Sequence, residues 1–121
     1  MTDADLADLC ALWQKRLRLQ DWDVTVRFAA WHELKGGERG GQVNWAVAER
    51  AAAIDLSRPD DVPPDLLCPY DVETTLVHEL LHLTMIGMAT AAGSPEEKAE
   101  EQAVNAISRA LVALARQKGT P

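Results

Sequence analysis

Val72-Glu73-Thr74-Thr75-Leu76-Val77-His78-Glu79-Leu80-Leu81-His82-Leu83-Thr84-Met85-Ile86-Gly87-Met88 is the stretch around which this chain is organised. It has good helical propensity, no proline and one glycine near its end, which predicts a helix over Val72–Met88. Leu76, Val77, Leu80, Leu81, Leu83, Met85 and Ile86 make that helix apolar enough to lie at the centre of a core. His78 and His82 are four residues apart, so they share a face and both imidazoles can reach one ion. Glu79 follows the first histidine and points into the same cleft. Two neutral nitrogen ligands, with a carboxylate beside the water such an ion carries, equip a zinc hydrolase. Two of the chain's three histidines fall at this spacing around a glutamate. A buried helix that is polar at three positions needs a compensating partner, and a metal provides one.

The chain before this stretch reads as scaffold. Residues 3–19 form an amphipathic helix with Leu6, Leu9, Cys10, Trp13 and Leu17 at spacings of three and four; Thr2 or Asp3 caps it. From Trp22 to Phe28 the residues alternate strictly, with Trp22, Val24, Val26 and Phe28 on one side of a half-buried strand. Gly36–Gly41 is a glycine-rich surface connection. Gln42–Ala48 is a second strand, with Val43, Trp45 and Val47 on its apolar side. A turn near Glu49-Arg50 leads to a third, Ala51–Ser57, with Ala52, Ile54 and Leu56 inward. The short spacing makes these two an antiparallel hairpin. Four prolines make Arg58–Tyr70 a loop over the surface.

After it, Asp71 is placed to cap the histidine-bearing helix, which Gly87 and the small residues 89–93 end. Ser94-Pro95-Glu96-Glu97 is a capping box with proline at the first helical position. The last helix runs from there to about Lys118, with Ala103, Val104, Ile107, Leu111 and Leu114 as its apolar stripe.

Composition narrows the function classes. The 121 residues make one domain over 1–121, 47% hydrophobic and 26% charged, as in ordinary globular proteins. A formal net charge of -7 and the lack of a basic run exclude nucleic-acid binding as the main task. No segment has the roughly 18 consecutive apolar residues of a membrane span. The acidic N-terminus is unlike a signal peptide, and two cysteines, Cys10 and Cys68, are too few for a disulfide framework. The expectation is a cytoplasmic protein with reduced thiols.

A hydrolytic zinc site takes three protein ligands and keeps one position open. The last helix offers Glu96, Glu97, Glu100 and Glu101. Glu97 is explained by the capping box and Glu96 by the helix dipole. Between the other two, helical phase favours Glu100, near the middle of the Val104–Ile107–Leu111 stripe. The pattern Glu101-x-x-x-Asn105 favours Glu101, with a polar residue one turn later for the outer shell of the metal.

His78-Glu79-x-x-His82 followed by a helix bearing Glu101-x-x-x-Asn105 resembles the glutamate-type zincin metallopeptidases. The resemblance is to compact, often prophage-linked ImmA/IrrE-type peptidases and covers roughly residues 72–115. Val104-Asn105, Ile107-Ser108 and Leu111-Val112 stand where that family has Ala-Asn, a bulky and a small residue, and a Leu pair. The chain lacks the family's Leu-Met-Pro ending and a DNA-binding domain. The resemblance implies metal ligands His78, His82 and Glu101, a Zn2+ cofactor and Glu79 as the general base. It also implies a minimal α+β zincin-like domain. This has an N-terminal helix, a small three-stranded sheet with an antiparallel hairpin, and an active-site helix packed on the glutamate helix. The implied reaction is peptide-bond hydrolysis on an extended peptide or protein segment laid along a sheet edge. A zinc-stabilised regulatory or protein-binding module is the alternative. A nuclease with an H-x-x-x-H helix fits less well, since no histidine follows His82. His32 and Tyr70 are secondary candidates for contact with the site, and Trp45 for lining a substrate groove.

Overall fold

The computed structural model describes residues 1–34, 40–64, 69–88 and 91–118. Its first helix, α1 (Asp3–Arg16), begins where Thr2 accepts a hydrogen bond from the Asp5 amide. The Asp5 carboxylate accepts one in return from the Thr2 amide, which closes a capping box. The helix stops short of the expected residue 19 because Arg18 turns into the left-handed region at φ 62°. Leu6, Cys10 and Trp13 are buried as the spacing requires, while Leu9 and Leu17 are partly covered.

Three strands follow: β1 (Asp23–Ala29), β2 (Gly41–Ala46) and β3 (Ala51–Ser57). They form one mixed sheet in the order β1-β3-β2, with β1 parallel and β2 antiparallel to β3. The expected hairpin is therefore present, and its second strand is the central one. Val26 and Ile54 are register partners, as are Phe28 and Leu56, so the apolar alternation of each strand falls on one common face. The opposite face carries Arg27, Gln42 and Asp55. Arg27 Nε donates to Asp55 at 2.8 Å and Gln42 Nε2 at 3.0 Å, which satisfies a nearly buried carboxylate. As an edge strand β2 is covered less than its pattern suggests: Val43 is half-buried, but Trp45 is 45% exposed. Much of the glycine-rich connection (35–39) lies outside the described residues, as do Cys68 (within 65–68) and part of 89–93. Cys10 is a buried free thiol, pushed up by burial to about 11.

The histidine-bearing helix, α2 (Val72–Thr84), lies across β2 and β3 and against α1. It is shorter than expected because the chain tightens into a 3₁₀ turn over Ile86–Met88. The last helix, α3 (Pro95–Lys118), has the expected bounds and packs on α2. Ser94 Oγ accepts from the Glu97 amide, and the Glu97 carboxylate reaches back to the Gly93 amide. Among the described residues no helix is long and apolar enough to cross a membrane.

The phase of α3 differs from the sequence expectation. Val104, Ser108 and Val112 are buried, with Leu111 and Ala115 partly so. Of the expected stripe, Val104 is buried and Leu111 partly covered, while Ile107 at 39% and Leu114 at 55% exposure turn to solvent. Both rows have helical spacing, and the narrower one faces α2. Deleting methyl groups from the buried row should therefore matter more. Val104→Ala should cost about 2 kcal/mol, from lost burial and the cavity left behind. Ile107→Ala should cost well under that. Urea unfolding midpoints at unchanged m-value measure both.

Candidate metal centre

The start of α2 is held from three directions. Asp71 caps it by accepting from the Thr74 amide at 3.0 Å, and Arg116 of α3 donates to the same carboxylate at 2.9 Å. Burial opposes ionisation of Asp71, but the Thr74 and Arg116 donors outweigh it and keep the carboxyl below its ordinary range. Trp13 of α1 donates its indole N–H to Glu73 at 2.7 Å. Thr75 closes on the sheet: a Cβ at Gly41 would lie 2.8 Å from Thr75 Cγ2 and 2.7 Å from Leu56 Cδ2. Only glycine lets the edge strand come this near to α2. That contact is one turn before Glu79.

One turn further on, His78 and His82 project from α2 towards α3. Their Nε2 atoms are 3.2 Å apart, and the rings meet edge to face. Glu101 of α3 completes the group, with Oε2 at 3.4 Å from His78 Nε2 and Oε1 at 2.8 Å from His82 Nε2. These three side chains are the described residues whose donor atoms converge closely enough to hold one metal ion. Donors about 2.0–2.2 Å from a tetrahedral zinc stand about 3.3 Å from one another. The observed separations bracket that value. Three lone-pair donors so close together repel unless a cation, proton or metal, sits among them.

The same geometry governs the protonation of the group. The Glu101 carboxylate raises His82 above the ordinary imidazole value; burial opposes the rise, and the charges of Glu79 and Glu100 add to it. Glu101 is held well below the usual carboxylate range by its bonds to His78 and His82. A metal ion would replace this proton-held arrangement, since it needs neutral imidazoles and an ionised carboxylate.

Glu79 lies between the two histidines in sequence and is 5% exposed, close enough for its charge to act on His82 and Tyr70. Glu100 is not at the point where the three donors meet. Its Oε2 stands 3.7 Å from Nδ1 of His82, at the other nitrogen of the ring. The sequence treated Glu100 and Glu101 as rivals for one role. The structure gives them different atoms of the same imidazole, and adjacent carboxylates on a helix were the available signal.

The secondary candidates are placed elsewhere. His32 sits in a 3₁₀ turn (Trp31–Glu33) after β1, outside the convergent group. Tyr70 is largely buried, and its hydroxyl lies 2.7 Å from the Ser57 carbonyl and 3.2 Å from that of Gly40. Burial, with the charges of Asp71 and Glu79, pushes its phenol above the ordinary value. Its ring leaves no room for a Cβ at Gly40, so it fixes the entry to β2. A cavity of about 320 Å³, lined by residues including Phe28, Glu33, Arg58 and Asp61, contains none of the three convergent residues.

Comparison with family models, curated proteins and solved structures finds no match to this chain.

An ion held by this cluster would bind the folded chain and so add to its stability. Free zinc at about 100 times its dissociation constant should add about 2.7 kcal/mol, raising the melting temperature by roughly 10 °C. His78→Ala should lose that rise, and a melting temperature of the unmutated chain indifferent to zinc would contradict the site. Thermal unfolding with and without a chelator measures it.

Proposed function

We propose that this chain is a minimal zinc-dependent metallopeptidase, with zinc on His78, His82 and Glu101 and Glu79 as general base. The observation that carries the reading is the convergence of His78 Nε2, His82 Nε2 and the Glu101 carboxylate beside a helix that also bears Glu79. It agrees with the resemblance to the ImmA/IrrE-type peptidases in the spacing of HExxH and of the downstream glutamate. When bound, the zinc acts as a Lewis acid towards the scissile carbonyl and lowers the pKa of its water towards about 7. Glu79 accepts a proton from the attacking water and passes it to the departing amine nitrogen. Low exposure of Glu79 keeps competing water away from that transfer.

Strand β2 supports the substrate side of the reading. It is an edge of the sheet and approaches α2 at Gly41 and Thr75. An extended segment can add to that edge through main-chain hydrogen bonds, with the exposed Trp45 offering a surface for an apolar side chain. Glu79, Glu100 and Glu101 make the surroundings acidic, so a basic or neutral segment is the better match. A buried Cys10 thiol fits a cytoplasmic setting.

The burial of Glu79 also favours a second reading, a zinc-stabilised binding or regulatory module whose base is closed off from substrate. Two experiments separate them. Glu79→Gln should lower kcat/KM by about 10²–10⁴-fold while zinc stays bound at one per chain. Equal zinc loss in Glu79→Gln and His78→Ala would make Glu79 a ligand and overturn the mechanism. Profiling the zinc-loaded protein against peptide libraries and a host proteome should find turnover on extended or disordered segments. Efficient, indiscriminate cleavage of casein-like proteins would contradict a narrow edge-strand site. Zinc binding with no cleavage of any substrate would favour the regulatory module.

A further inference from the structure

Glu100 has no role in the ligand set, yet it is half-buried and turned towards α2. Successive residues on a helix point about 100° apart, so Glu100 and Glu101 approach one target from two directions. That target is His82. Glu101 Oε1 is 2.8 Å from its Nε2, and Glu100 Oε2 is 3.7 Å from its Nδ1. We infer that Glu100 is a positioning residue of the metal centre, its charge acting on the His82 ring at Nδ1 from 3.7 Å while Glu101 ligates on the Nε2 side. The inference rests on the ligand set proposed above.

The chemistry follows from the imidazole. A neutral ring has one N–H, and Nε2 can offer a lone pair to a metal only when that proton is on Nδ1. At 3.7 Å the contact acts through charge, and a carboxylate facing Nδ1 favours this tautomer and makes Nε2 a better donor. Here the side chains are 19% and 14% exposed, for Glu100 and His82, so solvent screens the contact little. The arrangement also accounts for a largely covered carboxylate between α2 and α3, where an unpartnered charge would be costly. Adjacent glutamates thus divide two tasks: one holds the ion and the other orients a ligand.

The test is metal affinity, with no substrate needed. Zinc dissociation constants are measured by competition with a chromophoric chelator for the unmutated chain, Glu100→Ala, Glu100→Gln and Glu101→Ala. Visible spectra of the cobalt(II)-loaded proteins are recorded alongside. Glu100→Ala should bind zinc about 10–100-fold more weakly, still at one per chain, with a shifted cobalt spectrum. Glu100→Gln, which keeps an oxygen acceptor without the charge, should fall between it and the unmutated protein. Glu101→Ala should lose the tetrahedral cobalt band. Unchanged affinity in Glu100→Ala overturns the inference while leaving the ligand set standing. Loss of the tetrahedral band in Glu100→Ala also overturns it, because Glu100 would then be a ligand. Should Glu100→Ala not fold, Glu100→Gln decides, and affinity equal to the unmutated chain overturns the inference. An unmutated chain that binds no zinc removes the ligand set and the inference with it.

Discussion

The contact between α2 and α3 is polar where two packed helices would ordinarily be apolar. His78, His82 and Glu101 bring three donor atoms to one point, with separations of 2.8–3.4 Å. Such a group is stable only around a positive charge. The requirement reaches beyond the three residues. It is met only when α3 turns Glu101, in line with the buried Val104, Ser108 and Val112, towards α2. Arg116 and Trp13 secure the first turn of α2 from opposite helices through Asp71 and Glu73. Gly41 lets the edge strand come against it at Thr75. These contacts place the Glu79 carboxylate, the three convergent donors and the edge strand β2 within one small region.

This view explains which parts of the fold were legible in the sequence. The alternation of Val24, Val26 and Phe28 and of Ala52, Ile54 and Leu56 depends on local geometry alone, and both rows face the core as expected. The helix around His78 and His82 was equally clear, since apolar residues surround a pattern that chemistry rarely produces by accident. Ends were harder to place. The 3₁₀ turn after Thr84 and the left-handed Arg18 are backbone choices that nearby residue types did not signal.

The rotation of α3 was not legible from apolar periodicity. Ala103, Val104, Ile107, Leu111 and Leu114 form the row that apolar spacing selects, and it shares only Val104 with the most deeply buried row. Glu101, Val104, Ser108 and Val112 form the row that faces α2, and its first member is a carboxylate drawn to two histidines. Helical phase placed Glu100 inward, and it is 19% exposed beside His82, but phase alone did not say which carboxylate meets both Nε2 atoms. Glu100, weighed in the sequence only as a rival ligand, has its carboxylate 3.7 Å from the second nitrogen of His82. Trp45 shows the same limit in a strand: alternation gives the face, and only the strand order reveals that β2 is an edge.

Diffraction from zinc-loaded crystals on both sides of the zinc absorption edge tests the central claim most directly. The account predicts one anomalous peak per chain, about 2.0–2.2 Å from His78 Nε2, His82 Nε2 and a Glu101 oxygen. A peak elsewhere, a peak ligated by Glu100 in place of Glu101, or no peak at saturating zinc would contradict it.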